Sequence, residues 1–547
     1  MTGSNEGTLA SLQAGSASFA ALGPAARGDL AGRTARSVAA SVAAWVETAV
    51  GIKNATNATA AVVTAEETAT GPLSTLRLLL VTARSLREIA AHGLPRPAAQ
   101  PRVLHRGGGD ASFIGVEVLP ERWIADRAMF GDYRGTVRCA NPGDLAAFER
   151  SWRQECRERP RRGGVAAVLG AGNVTGLAVA DAVAQVFEHG RAAFVKLHPV
   201  HAPLLPVFRS ALAPLVDAGL VALVAGGADA AREAIASPTV THVHLTGGQA
   251  AFDAIAATLA KPITCELGGV TPWVVVPGRY TPAQLAYQAD VVAGSIVNNT
   301  SFNCIATKCV VTCRSWDQRQ TFLDLVSRRL AAAPPRPAWY PGAAAAWEAV
   351  TESRLPADGA LPWVFRPGVD PDREPRWLDR EWFVPVAVEV PLEAADIESF
   401  CTRASAICRR LPGSLAASVT IPESLSVSDR QRVERLVEHL EYGTVAVNTW
   451  SALGYAFASL PWGGFPGGTI AEPRSGIGFV HDPLLLPLVH NSIVRAPLLV
   501  RPTPPWLPWH RHGATLARGA VDVYAALARG RTGLLSLAKL LPRVLAG

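Results

Sequence analysis

Between residues 164 and 246 the chain alternates strand-like and helix-like text, and this alternation constrains the fold more than any other feature. GVAAVLGAG reads as a buried strand, LAVADAVAQVFEHG as a helix stopped by Gly190, and AAFVKLHP as a second strand. APLLPVFRSALAPLVDAG is a further helix, and VALVAGG and VTHVHLTGG are further strands. Repeated strand–helix–strand units cover both faces of a parallel sheet with helices, so a doubly wound α/β architecture is expected. Helical periodicity fills residues 1 to about 115, and the stretch 101–145 switches to short alternating segments that read as strands and hairpins. A second α/β stretch runs from 270 to 440. A chain of 547 residues exceeds one small core, so two or more lobes are expected.

Composition removes several function classes. The balance of 52 basic and 45 acidic residues gives +7, with no long basic run and no basic–aromatic interleaving, so no nucleic-acid partner is expected. No stretch approaches the ~18 apolar residues that span a bilayer. MTGSNEGTLASL lacks the basic patch and apolar run of a secretory signal, and a cytoplasmic location is expected. The eight cysteines form no CxxC pair and no zinc-like Cys/His spacing, so free thiols and no metal are expected. Only five residues are Lys, which makes Lys196 and Lys308 stand out in a chain that otherwise uses Arg.

Three segments carry chemistry. LGAGNVTG (169–176) sits where a strand gives way to a helix, which suits a dinucleotide turn. The ribose-binding acid expected about 20 residues on is absent, and the strand instead ends FVKLHP, offering Lys196. Either the turn is structural or a dinucleotide is held differently. CELGG (265–269) places Glu266 at a tight turn in apolar surroundings, where desolvation raises a carboxylate's basicity. NNTSFNCIATK (298–308) places Cys304 after a helix-like stretch and a polar loop; its spacing alone identifies no base, and a buried packing thiol is the alternative.

In this order these segments resemble the aldehyde dehydrogenase superfamily. FVKLHP is similar to the family's Lys-Pro-Ser-Glu strand, VTHVHLTGG to its Phe-Thr-Gly-Ser turn, and CELGG to its Glu-Leu-Gly-Gly signature. FNCIATK resembles the cysteine signature, with Lys308 as the basic residue four places on. REWFVPV (380–386) resembles Glu-x-Phe-Gly-Pro-Val, and VAVNTW and PWGGFPGG…SGIG resemble the closing segments. The likeness runs from about residue 10 to 490.

The resemblance implies an aldehyde dehydrogenase-like α/β fold with a Rossmann-type cofactor-binding domain, an α/β catalytic domain and a small oligomerisation hairpin. The implied division is 1–244 for the N-terminal helices and cofactor-binding domain, with the hairpin near 125–145, and 245–440 for the catalytic domain. Residues 441–490 return to the cofactor and oligomerisation region, and 491–547 form a basic Pro/Trp-rich extension. It implies oxidation of an aldehyde with NAD or NADP. Cys304 is then the nucleophile, Asn173 with the Cys304 N–H holds the oxyanion, and Glu266 activates water against the thioester. Lys196 and Glu381 contact the two riboses, Phe383 the nicotinamide, and Gly247 and Gly248 the cofactor turn. A homo-dimer or tetramer is implied.

Departures bear on the cofactor. Pro199 stands near the missing acid, beside His198 and His201; Ala228 and Arg232 alter the glycine-rich turn; and Gly248 replaces the usual Ser. NADP therefore stands beside NAD. An acylating fatty acyl reductase of the same superfamily and a non-catalytic relative are the alternatives. Beyond 490, the segment 512–547 reads as a basic amphipathic helix interrupted by glycines, either packed on the protein or in peripheral contact with a membrane.

Overall fold

The protein is described by a computed structural model over residues 3–105 and 112–545. Its chain opens on helices, two of which, α1 (Pro24–Ile52) and α2 (Ala60–Thr68), reach the site described below. Strands β1 (Arg102–His105), β2 (Ser112–Leu119) and β3 (Arg134–Ala140) follow.

The alternating text then becomes a six-stranded sheet. Five of its strands, β4 (Val165–Leu169), β5 (Ala192–Leu197), β6 (Val221–Ala225), β7 (Val240–Gly247) and β8 (Ile263–Leu267), are parallel, and the sixth, from late in the chain, runs antiparallel to β8. Helices α3 (Leu177–Phe187), α4 (Ala228–Ala236) and α5 (Gln249–Ala256) connect them. Every residue of β4 and of α3 is buried, as expected of a strand covered on both faces. Gly190, at φ 68°, ends the α3 segment in the left-handed conformation that a side chain disfavours.

The second sheet starts with β9 (Thr271–Val275), α6 (Pro282–Val297) and β10 (Thr307–Cys313). Thr281 and Gln284 form a capping box at the start of α6, with Pro282 in the first turn. The sheet continues through β11 (Val364–Arg366), β12 (Val386–Leu392), β13 (Ala416–Thr420) and β14 (Thr444–Val447). After β15 (Gly476–Ile477), which borders β8 on the first sheet, β16 (Val489–Arg495) joins the second. The order is β1-β2-β3-β16-β14-β13-β9-β10-β12-β11. Since β8 pairs with β7, the first sheet extends past the expected division at 244 and closes at Leu267.

The region expected to be a hairpin at 125–145 is different. It holds a helix, Ile124–Phe130, and the single strand β3, whose antiparallel partners are β2 and β16. The hairpin is therefore β2–β3, with the helix as its connection.

The chain ends in α7 (Gly513–Ala528) and α8 (Leu534–Leu545), parted by Gly530 and Gly533, both at positive φ. Helix α7 packs on α1 and α2, and a buried pair of Arg77 and Asp126, joined by Tyr524 of α7, fastens it to the body. Helix α8 packs on α7 through Leu540 and leaves Leu535, Leu541 and Leu545 exposed. Among the described residues no helix is long and apolar enough to cross a membrane.

Candidate active site

Helix α6 ends in an unusual turn. Asn299, Thr300 and Ser301 all lie at φ between 52° and 62°, the left-handed region. Each such residue costs roughly 1–2 kcal/mol, and β-branched Thr300 is especially ill-suited. The surroundings hold the run in place. Lys53, which caps the C-terminus of α1 and pairs with Glu67, donates to Asn299 Oδ1. Glu66 accepts from the Asn299 N–H at 3.2 Å and is itself clamped by Arg336 at 2.7 and 3.0 Å. Asn299 Nδ2 donates to the carbonyls of Asn173 and Phe302, each at 2.8 Å. Lys308 Nζ closes the turn from the other side, donating to Ser301 Oγ at 2.8 Å and to Val384 O at 2.6 Å.

This turn delivers Cys304. Its Sγ lies 3.6 Å from Glu266 Oε1 and 3.8 Å from Asn303 Oδ1. The residues 266 and 304 therefore face one another, although Glu266 lies on β8 of the first sheet and Cys304 in the loop before β10 of the second. Trp462 Nε1 donates to Glu266 Oε1 at 3.0 Å, and Glu266 Oε2 is buried without a partner. Burial pushes the Glu266 carboxyl up to about 7, against the opposing pull of the Trp462 hydrogen bond. Burial, and then the adjacent Glu266 charge, push the Cys304 thiol well above its ordinary range. No standing thiolate is expected here; the thiol must give up its proton as it reacts, and Glu266 is within reach of it.

The pair sits at the inner end of a cavity of about 430 Å³. Its walls are mostly apolar, with Val62 of α2, Val174, Leu177 and Leu453 among them, and Tyr455 and Trp462 beside the carboxylate. Asn173 is buried; its Nδ2 donates to Phe302 O at 3.2 Å, so it joins the thiol loop and does not line the cavity.

The dinucleotide residues lie along the ends of the first sheet. Lys196, at the end of β5, is half-buried and has no hydrogen bond or ion pair among the described residues; burial lowers its pKa. Gly247 ends β7 and Gly248 caps α5, where a side chain would meet open space. Arg232 is exposed and pairs with Asp229 on the same helix. Glu381 packs its carboxylate on Gly268, where a Cβ would collide with it, and Glu381 Oε1 is buried without a partner. Burial raises Glu381 and lowers nearby Lys308.

Two features here depart from the expectation. The space over Gly172, in the turn expected to admit a ligand, is filled by the His198 imidazole. Phe383, in the left-handed region at φ 53°, is covered by Tyr340 at 5.3 Å and Phe302 at 6.0 Å between ring centroids. Tyr340 also stacks on His198 at 5.9 Å. Sequence reasoning did not find Tyr340, Trp462, Lys53 or the cavity wall at 506–515. The Pro/Trp-rich text was the one available signal for that wall.

Parallel strands that end at a carboxylate, with a thiol facing it across a pocket, define a class of enzyme fold. Residues 133–334 match the model of the aldehyde dehydrogenase family. Solved structures share the fold at low identity. An NADP-dependent glyceraldehyde-3-phosphate dehydrogenase from Bacillus halodurans, complexed with NADP, matches at 15% identity and TM-score 0.60, over 91% of this chain and 92% of that one. Aldehyde dehydrogenase C from Pseudomonas syringae, a mutant complexed with NAD+ and octanal, matches at 15% identity and TM-score 0.59, over 89% and 87%. The chain spans 45% of the length of a bifunctional proline utilization A protein, which it matches at 15% identity and TM-score 0.56 over 90% of its own length. No curated protein sequence matches.

Proposed function

We propose that this protein oxidises an aldehyde to a carboxylic acid with NAD or NADP. The observation that carries the reading is the 3.6 Å approach of Cys304 Sγ to Glu266 Oε1 at the inner end of the apolar tunnel. Glu266 takes the thiol proton as sulfur attacks the carbonyl carbon, and the Cys304 N–H holds the oxyanion, joined by Asn173 once its amide leaves the Phe302 carbonyl and turns to the thiol; such a donor is worth roughly 3–4 kcal/mol. A bound dinucleotide supplies the hydride acceptor. Cys304 is left as a thioester, and Glu266, freed of its proton, draws one from a water that attacks the acyl carbon. A buried carboxyl near 7 suits both duties at neutral pH. Retention of this base favours hydrolysis over transfer of the acyl group to another thiol.

The residues along the first sheet fit the dinucleotide. The unpartnered Lys196 ammonium and the orphaned Glu381 Oε1 are of the kinds that ribose hydroxyls satisfy, and Gly248 leaves room for close approach. The end of β5 carries no carboxylate to repel a 2′-phosphate, so both nucleotides are accommodated in this reading.

Stopped-flow detection of reduced nucleotide tests the reading with short, long and aromatic aldehydes. Cys304→Ala should give none, and Glu266→Gln should slow both the first formation of reduced nucleotide and the steady turnover, about 100- to 10,000-fold. Equal steady rates in wild type and both variants would defeat the mechanism.

The proposal includes assembly as a homo-dimer or tetramer in the cytoplasm and peripheral contact with an anionic bilayer through α8. Leu535, Leu541 and Leu545 are exposed there beside Lys539 and Arg543. Replacing the three leucines with Ser should abolish co-sedimentation with phosphatidylserine vesicles; undiminished binding removes the membrane contact.

A further inference from the structure

The outer half of the tunnel is built from a segment that lies outside residues 133–334, which match the family. After β16, the chain runs back over the pocket, and Trp506, Leu507, Pro508, His510, Arg511 and His512 form one wall of it. The opposite wall is α2, with small Ala61, Ala65 and Ala69 facing the space. Ala58, Ala61, Pro334 and Arg511 are exposed, whereas Glu266 is buried, so the mouth lies at this wall and the thiol at the far end.

Three side chains of the wall offer donors without a partner. Arg511 has no hydrogen bond or ion pair among the described residues, although it lines the cavity. The His512 N–H donates to His510 Nδ1 at 3.1 Å, which fixes the proton of the neutral imidazole on Nε2. His510 is only 8% exposed, and that Nε2 has no partner. Trp506 Nε1 is likewise buried and unpartnered. A buried donor left unpaired is destabilising, and a bound acceptor would recover that loss. The carboxylates among the lining residues are Glu266, at the inner end, and Glu66, neutralised by Arg336. An acceptor-only anion thus has three donors and no facing acid at the mouth.

We propose that residues 506–515 form an outer subsite for the acidic end of the substrate, so that the aldehyde accepted is an apolar chain bearing a distal carboxylate. The carboxylate rests against Arg511, His510 Nε2–H and Trp506 Nε1–H, while the aldehyde carbon meets Cys304. The proposal rests on the aldehyde-oxidising reading for the inner end, whereas the outer subsite is defined by its own donors.

Two measurements on the full chain test it separately. The first is calorimetric titration of the Cys304→Ala variant with straight-chain dicarboxylic acids and with monocarboxylic acids of equal length. Dicarboxylates should bind at least about tenfold tighter, and Arg511→Ala should remove that margin while Arg511→Lys restores part of it. The second is kcat/KM for ω-carboxy aldehydes over that for unsubstituted alkanals. Arg511→Ala and His510→Phe should each lower the ratio at least about tenfold, and His510→Gln, which keeps a donor, less. Equal binding of mono- and dicarboxylates, or a ratio unmoved by both substitutions, overturns the subsite. Absence of reduced nucleotide with every aldehyde overturns the oxidation reading instead, and the calorimetric arm still decides the subsite. Because Arg511 is exposed, its replacement leaves the packed core untouched.

Discussion

The tunnel that ends at Cys304 and the crevice of the proposed nucleotide site, along the ends of β5 and β7, are assembled in different ways. The crevice is local: Lys196, Gly247 and Gly248 each sit where a strand runs out, within short strand–turn–helix units. The tunnel is long-range, with α2 on one side, 506–515 on the other, and Glu266 and Cys304 brought to its floor from two sheets. Long-range construction concentrates buried ion pairs, because residues far apart in sequence must be fixed by specific contacts.

That contrast can be broken by experiment. The largest effect is expected at Lys53, 4% exposed and paired with Glu67. Lys53→Met leaves a buried carboxylate uncompensated and should cost about 3–5 kcal/mol in denaturant unfolding, with loss of activity as the left-handed run relaxes. Unchanged stability would mean that the turn is held without its cationic clamp. A smaller effect is expected on the crevice side. Lys196→Met should weaken binding of NAD+ and NADP+ about tenfold in calorimetry, through one charge-assisted bond of about 1.5 kcal/mol, with no change in unfolding. Equal affinities would place the nucleotide elsewhere. The smallest is at Trp462. Its N–H stabilises the ionised form of Glu266, so Trp462→Phe should raise that carboxyl further above about 7. Activity rises with pH as Glu266 loses its proton, so the rising limb should move to higher pH by up to about one unit. A limb that stays in place would assign it to another group.

The same contrast explains what was legible in the sequence. The first sheet was readable because its strands are short runs, wholly apolar in β4 and β6, divided by helical segments and glycines. Glu266 and Cys304 were readable because each lies in a compact signature. Their common cavity was not, since nothing in either signature records that β8 and the end of α6 converge. His198 was noted in the sequence, yet its packing over Gly172 depends on side-chain volume in a turn, which no pattern encodes. Tyr340 and Lys53 act through contacts across lobes, and the helix at 124–130 interrupts what alternation presented as a simple hairpin.

Walls contributed by α2 and by 506–515 lie roughly 440 positions apart in sequence, so the tunnel closes only through a long-range contact. During synthesis, the thiol is formed and its loop built long before the covering segment emerges. Until that segment docks, Cys304 stands open to oxidants and to adventitious electrophiles, so a nascent or clipped chain is expected to lose its thiol faster than the finished one.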